Sequence, residues 1–107
     1  MKLLTVIVDP ARAGELTRAL TAFGVPGFTV SDAYATVAHG SVRLQRGRPT
    51  RTYLRCRSRV ELVVDDADAA DVLRVIVRVL ADGGRVWVTP VVAFTHVRTG
   101  RRGIRAL

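Results

Sequence analysis

Twice in this chain an apolar, β-branched run ends on aspartate and gives way to a helical pattern, and that repetition limits the folds open to it. The first run, Lys2 to Val8, meets Asp9-Pro10; the second, Val60-Glu61-Leu62-Val63-Val64, meets Asp65-Asp66. An aspartate side chain accepts a hydrogen bond from the first amides of a helix, and proline is tolerated in the first turn. After Asp9, Leu16, Ala19, Leu20 and Phe23 recur at helical spacing opposite Arg12, Glu15 and Arg18, until Gly24 and Pro26 stop the helix. After Asp65 a second helix is expected through about Ala81, apolar at Val72, Val75, Ile76, Val79 and Leu80, with a narrow polar stripe of Asp71, Arg74 and Arg78.

Two further strands complete the pattern. Gly27 to Tyr34 reads as the second strand, and Arg85 to Thr89 as the fourth, following Asp82-Gly83-Gly84. Pro90 cannot donate to a sheet ladder, so it belongs at an edge, a bulge or a break before the apolar run resumes at Val91 to Val97. The order is βαββαβ, and right-handed crossovers make this an α+β, ferredoxin-like sandwich with both helices on one face, one domain over residues 1–107. A chain of this length buries roughly 65% of its unfolded surface, enough for a core of its own. The opposite sheet face is expected to be apolar and uncovered, so self-association is expected as well.

Positive charge is concentrated in two places. Of 17 Lys and Arg residues, seven lie between His39 and Arg59 and four between His96 and Leu107, and neither stretch holds an Asp or Glu; the remainder carries six basic against nine acidic side chains. Basic segments without carboxylates suit phosphate, carboxylate or an acidic partner surface. Residues 37–56 are expected to form a basic mobile loop of roughly 16 to 20 residues, too poor in apolar surface to repay its ordering entropy. Its Arg43, Arg46, Arg48 and Arg51 are the candidate partner contacts. Residues 98–107 are expected as a C-terminal basic loop or tail. Neither a signal peptide nor a spanning helix is expected, since Asp9 and Pro10 cut the first apolar run short and no stretch of about 18 uncharged apolar residues follows. The single Cys56 cannot form an internal disulfide, which suits a cytoplasmic protein.

No catalytic constellation is visible. His39, His96 and Cys56 lack metal-ligand spacing, so no metal site is expected, and Cys56 reads as an inert thiol. Acylphosphatase chemistry on a ferredoxin-like fold uses an asparagine with an arginine, and the chain contains no asparagine. The alternative to a regulatory role is a basic nucleic-acid-binding ferredoxin-like module. RNA-binding sheets of that kind stack bases on aromatics of the two central strands, and residues 2–8 and 60–64 hold none.

Five segments in register are similar to the PII family of signalling proteins: M-K-L-L-T-V-I-V-D-P, G-V-P-G-F-T-V-S-D, V-E-L-V-V-D-D, G-G-R-V-W-V-T-P-V and V-R-T-G-R-R-G. No one of them is specific alone, but together they run over nearly the whole chain. The resemblance implies a homotrimer of ferredoxin-like subunits. It further implies an adenine nucleotide in the clefts between subunits, and a long loop that docks on a membrane transporter or a soluble enzyme.

Carried over residue by residue, Thr29 matches the threonine near the base, and Val63 a backbone contact to it. Gly84 and Arg85, with Gly83, match the glycine-lysine element that grips phosphate, and Arg98 a phosphate-binding arginine whose usual partner position holds His96. The phosphate loop is reduced to Asp82-Gly83-Gly84-Arg85, which leaves open ADP, AMP, ATP, cAMP or no nucleotide. Gln45-Arg46-Gly47 stands where many members carry the modifiable Y-R-G, the magnesium- and 2-oxoglutarate-binding glutamine has no match, and Arg57 replaces the loop-end lysine. The chain thus resembles a PII-like protein divergent from the nitrogen regulators.

Overall fold

Both expected caps form. Asp9 Oδ1 accepts from the Ala11 amide at 2.9 Å, and Asp65 Oδ1 from the Ala67 amide at 3.3 Å. In the computed structural model, which describes residues 1–37, 44–45, 48–49 and 53–107, these caps follow strands β1 (Lys2–Val8) and β5 (Tyr53–Val64) and open helices α1 (Pro10–Phe23) and α2 (Asp66–Val79). Strand β2 (Thr29–Val37), the short pair β3 (Leu44–Gln45) and β4 (Arg48–Pro49), β6 (Arg85–Pro90) and a C-terminal 3-10 turn (Gly103–Ala106) complete the chain. The main sheet is antiparallel in the order β2-β5-β1-β6, the ferredoxin-like arrangement.

Alternation along the strands divides the sheet into two faces. Leu4, Val6 and Val8 of β1 and Val60, Leu62 and Val64 of β5 point at the helices and pack against Leu16, Leu20, Val72, Ile76 and Leu80. The core therefore lies over the two central strands. On the edge strands the same face is poorly covered: Val30 of β2 is 49% exposed and Val88 of β6 is 40% exposed. Burying one such aliphatic side chain contributes about 1.5–3 kcal/mol, so the central pair carries most of the stabilisation.

Several boundaries differ from the sequence reading. Strand β2 begins at Thr29 and runs to Val37, and α2 ends at Val79, two residues before Ala81. Val77 of α2 is 55% exposed, so that helix is less covered than its composition suggested. The third strand of the βαββαβ pattern starts at Tyr53, seven residues before Val60, and pairs with β2 from Val37↔Tyr53 to Thr29↔Glu61. Arg55, Arg57 and Arg59 alternate with Leu54, Cys56 and Ser58 there, a period of two hidden by polar composition. The expected loop over 37–56 is accordingly narrower, since Val37 and Tyr53 to Cys56 are strand residues. Arg48 opens β4, whereas Arg43, Arg46 and Arg51 lie outside the described residues.

Pro90 is the last residue of β6, an edge strand, opposite Lys2. No strand resumes after it. Val92 and Val97 are 98% and 92% exposed in a loop closed by a Thr95–Arg102 bridge, with the Gly103 amide donating to Phe94 O at 2.8 Å. The C-terminal segment is thus folded back, and Ala106 is buried.

The face turned away from the helices is not the apolar surface expected. Leu3, Ile7, Val63 and Trp87 lie there, but so do Arg57, Arg59, Glu61 and Arg85. Charged residues alternate into it because β5 continues the arginine pattern of the preceding segment.

Candidate functional site

The expected phosphate-binding turn joins α2 to β6. The Gly83 amide donates to Leu80 O at 3.0 Å, so it is engaged within the turn. Gly84 has φ +124°, in the region that favours glycine, and a Cβ built on it would stand 3.3 Å from both Ile7 O and Leu80 Cδ1. That close approach delivers Arg85 onto β6 opposite Ile7.

An open cleft of about 990 Å³ lies at this end of the sheet. Ile7, Asp9 and Arg12 line it from β1 and α1, Ala33 to Thr36 from β2, Arg57 and Arg59 from β5, and Asp82 to Arg85 with Trp87 from the turn and β6. Ile7 pairs with Arg59 on one side and Arg85 on the other, so the two arginines flank it on the helix-free face. Two strand spacings, roughly 10 Å, separate their backbones across the sheet, so they can address one polyanion.

The charges here are of two kinds. Arg57 Nη1 lies 3.3 Å from Asp9 Oδ2, and Arg12 bonds Asp82 and Glu15. Arg59 and Arg85 are exposed and make no ion pair among the described residues. Hydrogen bonding to the Arg12 guanidinium holds the Asp82 carboxyl below its usual range, and the same contacts raise Arg12. The unpaired positive charge therefore concentrates at Arg59 and Arg85, the arrangement that attracts a phosphate or carboxylate.

Of the residues singled out in the sequence, the cleft gathers Arg57 and the turn from Asp82 through Gly83 and Gly84 to Arg85. Thr29 and Val63 lie elsewhere on the sheet, Thr29 opposite Glu61 and Val63 opposite Leu3. His96 and Arg98 sit in the loop beyond β6, where the His96 amide donates to Arg101 O at 2.9 Å. Arg12 and Arg59 escaped the sequence reading as site residues, and Asp82 was read only as part of the phosphate loop. Only the strand register brings Arg59 beside Arg85, and only tertiary packing brings Arg12 to Asp82. Cys56 is exposed and free, and no cluster of three or more metal-ligating side chains occurs among the described residues. No helix among them is long and apolar enough to cross a membrane.

Comparison with known proteins agrees with this architecture. The family described as "Nitrogen regulatory protein P-II" matches residues 1–101. Nitrogen regulatory protein P-II 2 of Methanothermobacter thermautotrophicus is 30% identical, over 100% of this chain and 97% of the relative. Nitrogen regulatory protein P-II of Azospirillum brasilense is 28% identical over 96% of each chain. Nitrogen regulatory protein GlnK2 of Haloferax mediterranei is 30% identical over 96% of this chain and 88% of its own. With the ferredoxin-like sheet, the five segments in register and a match spanning all but the last six residues, the chain belongs to the P-II family of nitrogen regulatory proteins.

Proposed function

We propose that this P-II family regulator is a cytoplasmic homotrimer that binds an adenine nucleotide, such as ADP, AMP, ATP or cAMP, in clefts between subunits. It controls a membrane transporter or soluble enzyme through the segment between β2 and β5. The single observation carrying this reading is the pair of unpaired arginines, Arg59 and Arg85, at the mouth of a cleft of about 990 Å³ beside Gly84. That volume is at the upper end of the roughly 300–1,000 Å³ that holds small ligands.

His96 and Arg98 stand outside the cleft of their own chain, and in this reading they serve the cleft of a neighbouring copy. Leu3, Ile7, Val63 and Trp87 on the helix-free face supply the apolar part of the contact between copies. The exposed aromatic of that face, Trp87, stands on the edge strand β6, whereas the central-strand residues Leu3, Thr5, Ile7, Arg57, Arg59, Glu61 and Val63 include none on which a base could stack, which weighs against the nucleic-acid alternative.

Calorimetric titration with ADP, AMP, ATP and cAMP tests the reading. Each charge-assisted phosphate contact is worth about 1.5–3 kcal/mol, so Arg85→Ala and Arg98→Ala are each expected to weaken the preferred nucleotide roughly tenfold to a hundredfold. Unchanged affinity in both variants would remove these two residues from the site.

A further inference from the structure

The turn between α2 and β6 is tied to α1 by one side chain. Arg12 Nη1 bonds the Asp82 carboxylate, its Nη2 donates to Val79 O at 2.7 Å, and its Nε donates to Glu15 Oε2 at 3.0 Å. All three nitrogens of the guanidinium are engaged, two of them on either side of the turn's entry. Gly83 and Gly84 follow at φ +155° and +124°. Adjacent glycines have more conformational freedom to lose than any other pair. The segment they form leads directly into Arg85, and Arg12, Asp82, Gly84 and Arg85 line one cleft.

We propose that Arg12 is a positioning residue for the anion-facing turn: by fastening Asp82 and the Val79 carbonyl to α1, it fixes where Gly84 and Arg85 meet the phosphate of a bound nucleotide. The ligand in this statement rests on the reading given under Proposed function; the clamp does not. A turn ordered in advance loses less entropy when its ligand arrives, and affinity rises accordingly. Arginine suits the task because a planar fork serves several acceptors at once, whereas a lysine ammonium is a point charge on a flexible stem. Asp82 is exposed and Arg12 only partly buried, and pairs this accessible to water contribute little to global stability. The consequence of the clamp is therefore local.

The experiment combines amide hydrogen exchange in the ligand-free protein with calorimetric titration of ADP, on the wild type, Arg12→Gln, Arg12→Lys, Asp82→Asn and the Arg12→Gln/Asp82→Asn double variant. In Arg12→Gln, the amides of Gly83, which bonds Leu80 O, and Arg85, which pairs with Ile7, should exchange at least about fivefold faster, while those of β1 and the thermal midpoint hardly change. ADP affinity should fall about five- to tenfold, and Arg12→Lys should recover only part of it. Because Arg12 acts through Asp82, the double variant should lose little more than Arg12→Gln alone. Unchanged exchange at residues 83 and 85 in Arg12→Gln would overturn the clamp. Fully additive losses in affinity would overturn it too, by assigning Arg12 a ligand contact of its own. If the wild type binds none of ADP, AMP, ATP and cAMP while exchange responds as stated, the nucleotide reading falls and the clamp stands.

Discussion

At residue 84 a side chain is crowded. Its Cβ would press on Ile7 O and Leu80 Cδ1, and φ +124° strains any L side chain besides. Gly84→Ala is therefore expected to destabilise the protein by about 1–3 kcal/mol in urea unfolding. Gly24, the left-handed C-cap of α1 at φ +104°, has nothing within 4 Å, so Gly24→Ala should cost only the conformational part, about 1–2 kcal/mol. Gly24 was readable from the sequence, because it stands before Pro26 at the end of a helical pattern. Gly84 was readable as part of a phosphate turn, but its packing against β1 was not. Arg12 gave no local sign of its role: its partner Asp82 is 70 positions away, and on the helix it looked like any solvated arginine. Asp82 also carries a pH dependence. Its folded pKa is depressed, so the pairing stabilises above the ordinary value of 3.8 and is lost as pH falls through the folded value. A carboxyl titration followed by NMR should place Asp82 below 3.8, and Arg12→Gln should move it upward; no movement would contradict the pairing.

Among the elements, the two helices are held by caps and by a core centred on β1 and β5. Asp65→Ala removes the acceptor of the Ala67 amide and should cost about 1 kcal/mol. Ile76→Ala or Leu20→Ala, both at fully buried positions, should cost about 2–5 kcal/mol. Chemical denaturation distinguishes these magnitudes, and equal small effects would show that the core lies elsewhere. The helices and β1 were legible because their periods and caps are written in apolar residues and aspartates. The start of β5 was not, because Arg55, Arg57 and Arg59 alternate with residues of mixed polarity and only pairing with β2 makes the strand. That pairing closes at Val37↔Tyr53, so a short turn joining those residues in place of 40–52 should preserve the register. The urea midpoint of such a variant should match that of the full chain, and an unfolded product would make the intervening segment part of the core.

At the scale of the whole molecule, the fold and family were legible from segment order, since five short matches in register constrain a chain more than any one of them. The helix-free face was misjudged. Its apolar centre of Leu3, Ile7, Val63 and Trp87 is interrupted by Arg59, Glu61 and Arg85, because charged residues on β5 and β6 share the parity of that face. Association through it would bury apolar area while leaving arginines for the clefts between copies. Light scattering should then give about three times the 11.7 kDa chain mass at micromolar concentration, and a monomer mass would rule the arrangement out. Nucleotide binding in the arginine-lined cleft is the property on which the regulatory function depends. Calorimetric titration of the assembled protein with ADP, AMP, ATP and cAMP measures this directly: saturable binding of one of them, one molecule per chain, is the expected result, and the absence of binding by all four at millimolar concentration would contradict it.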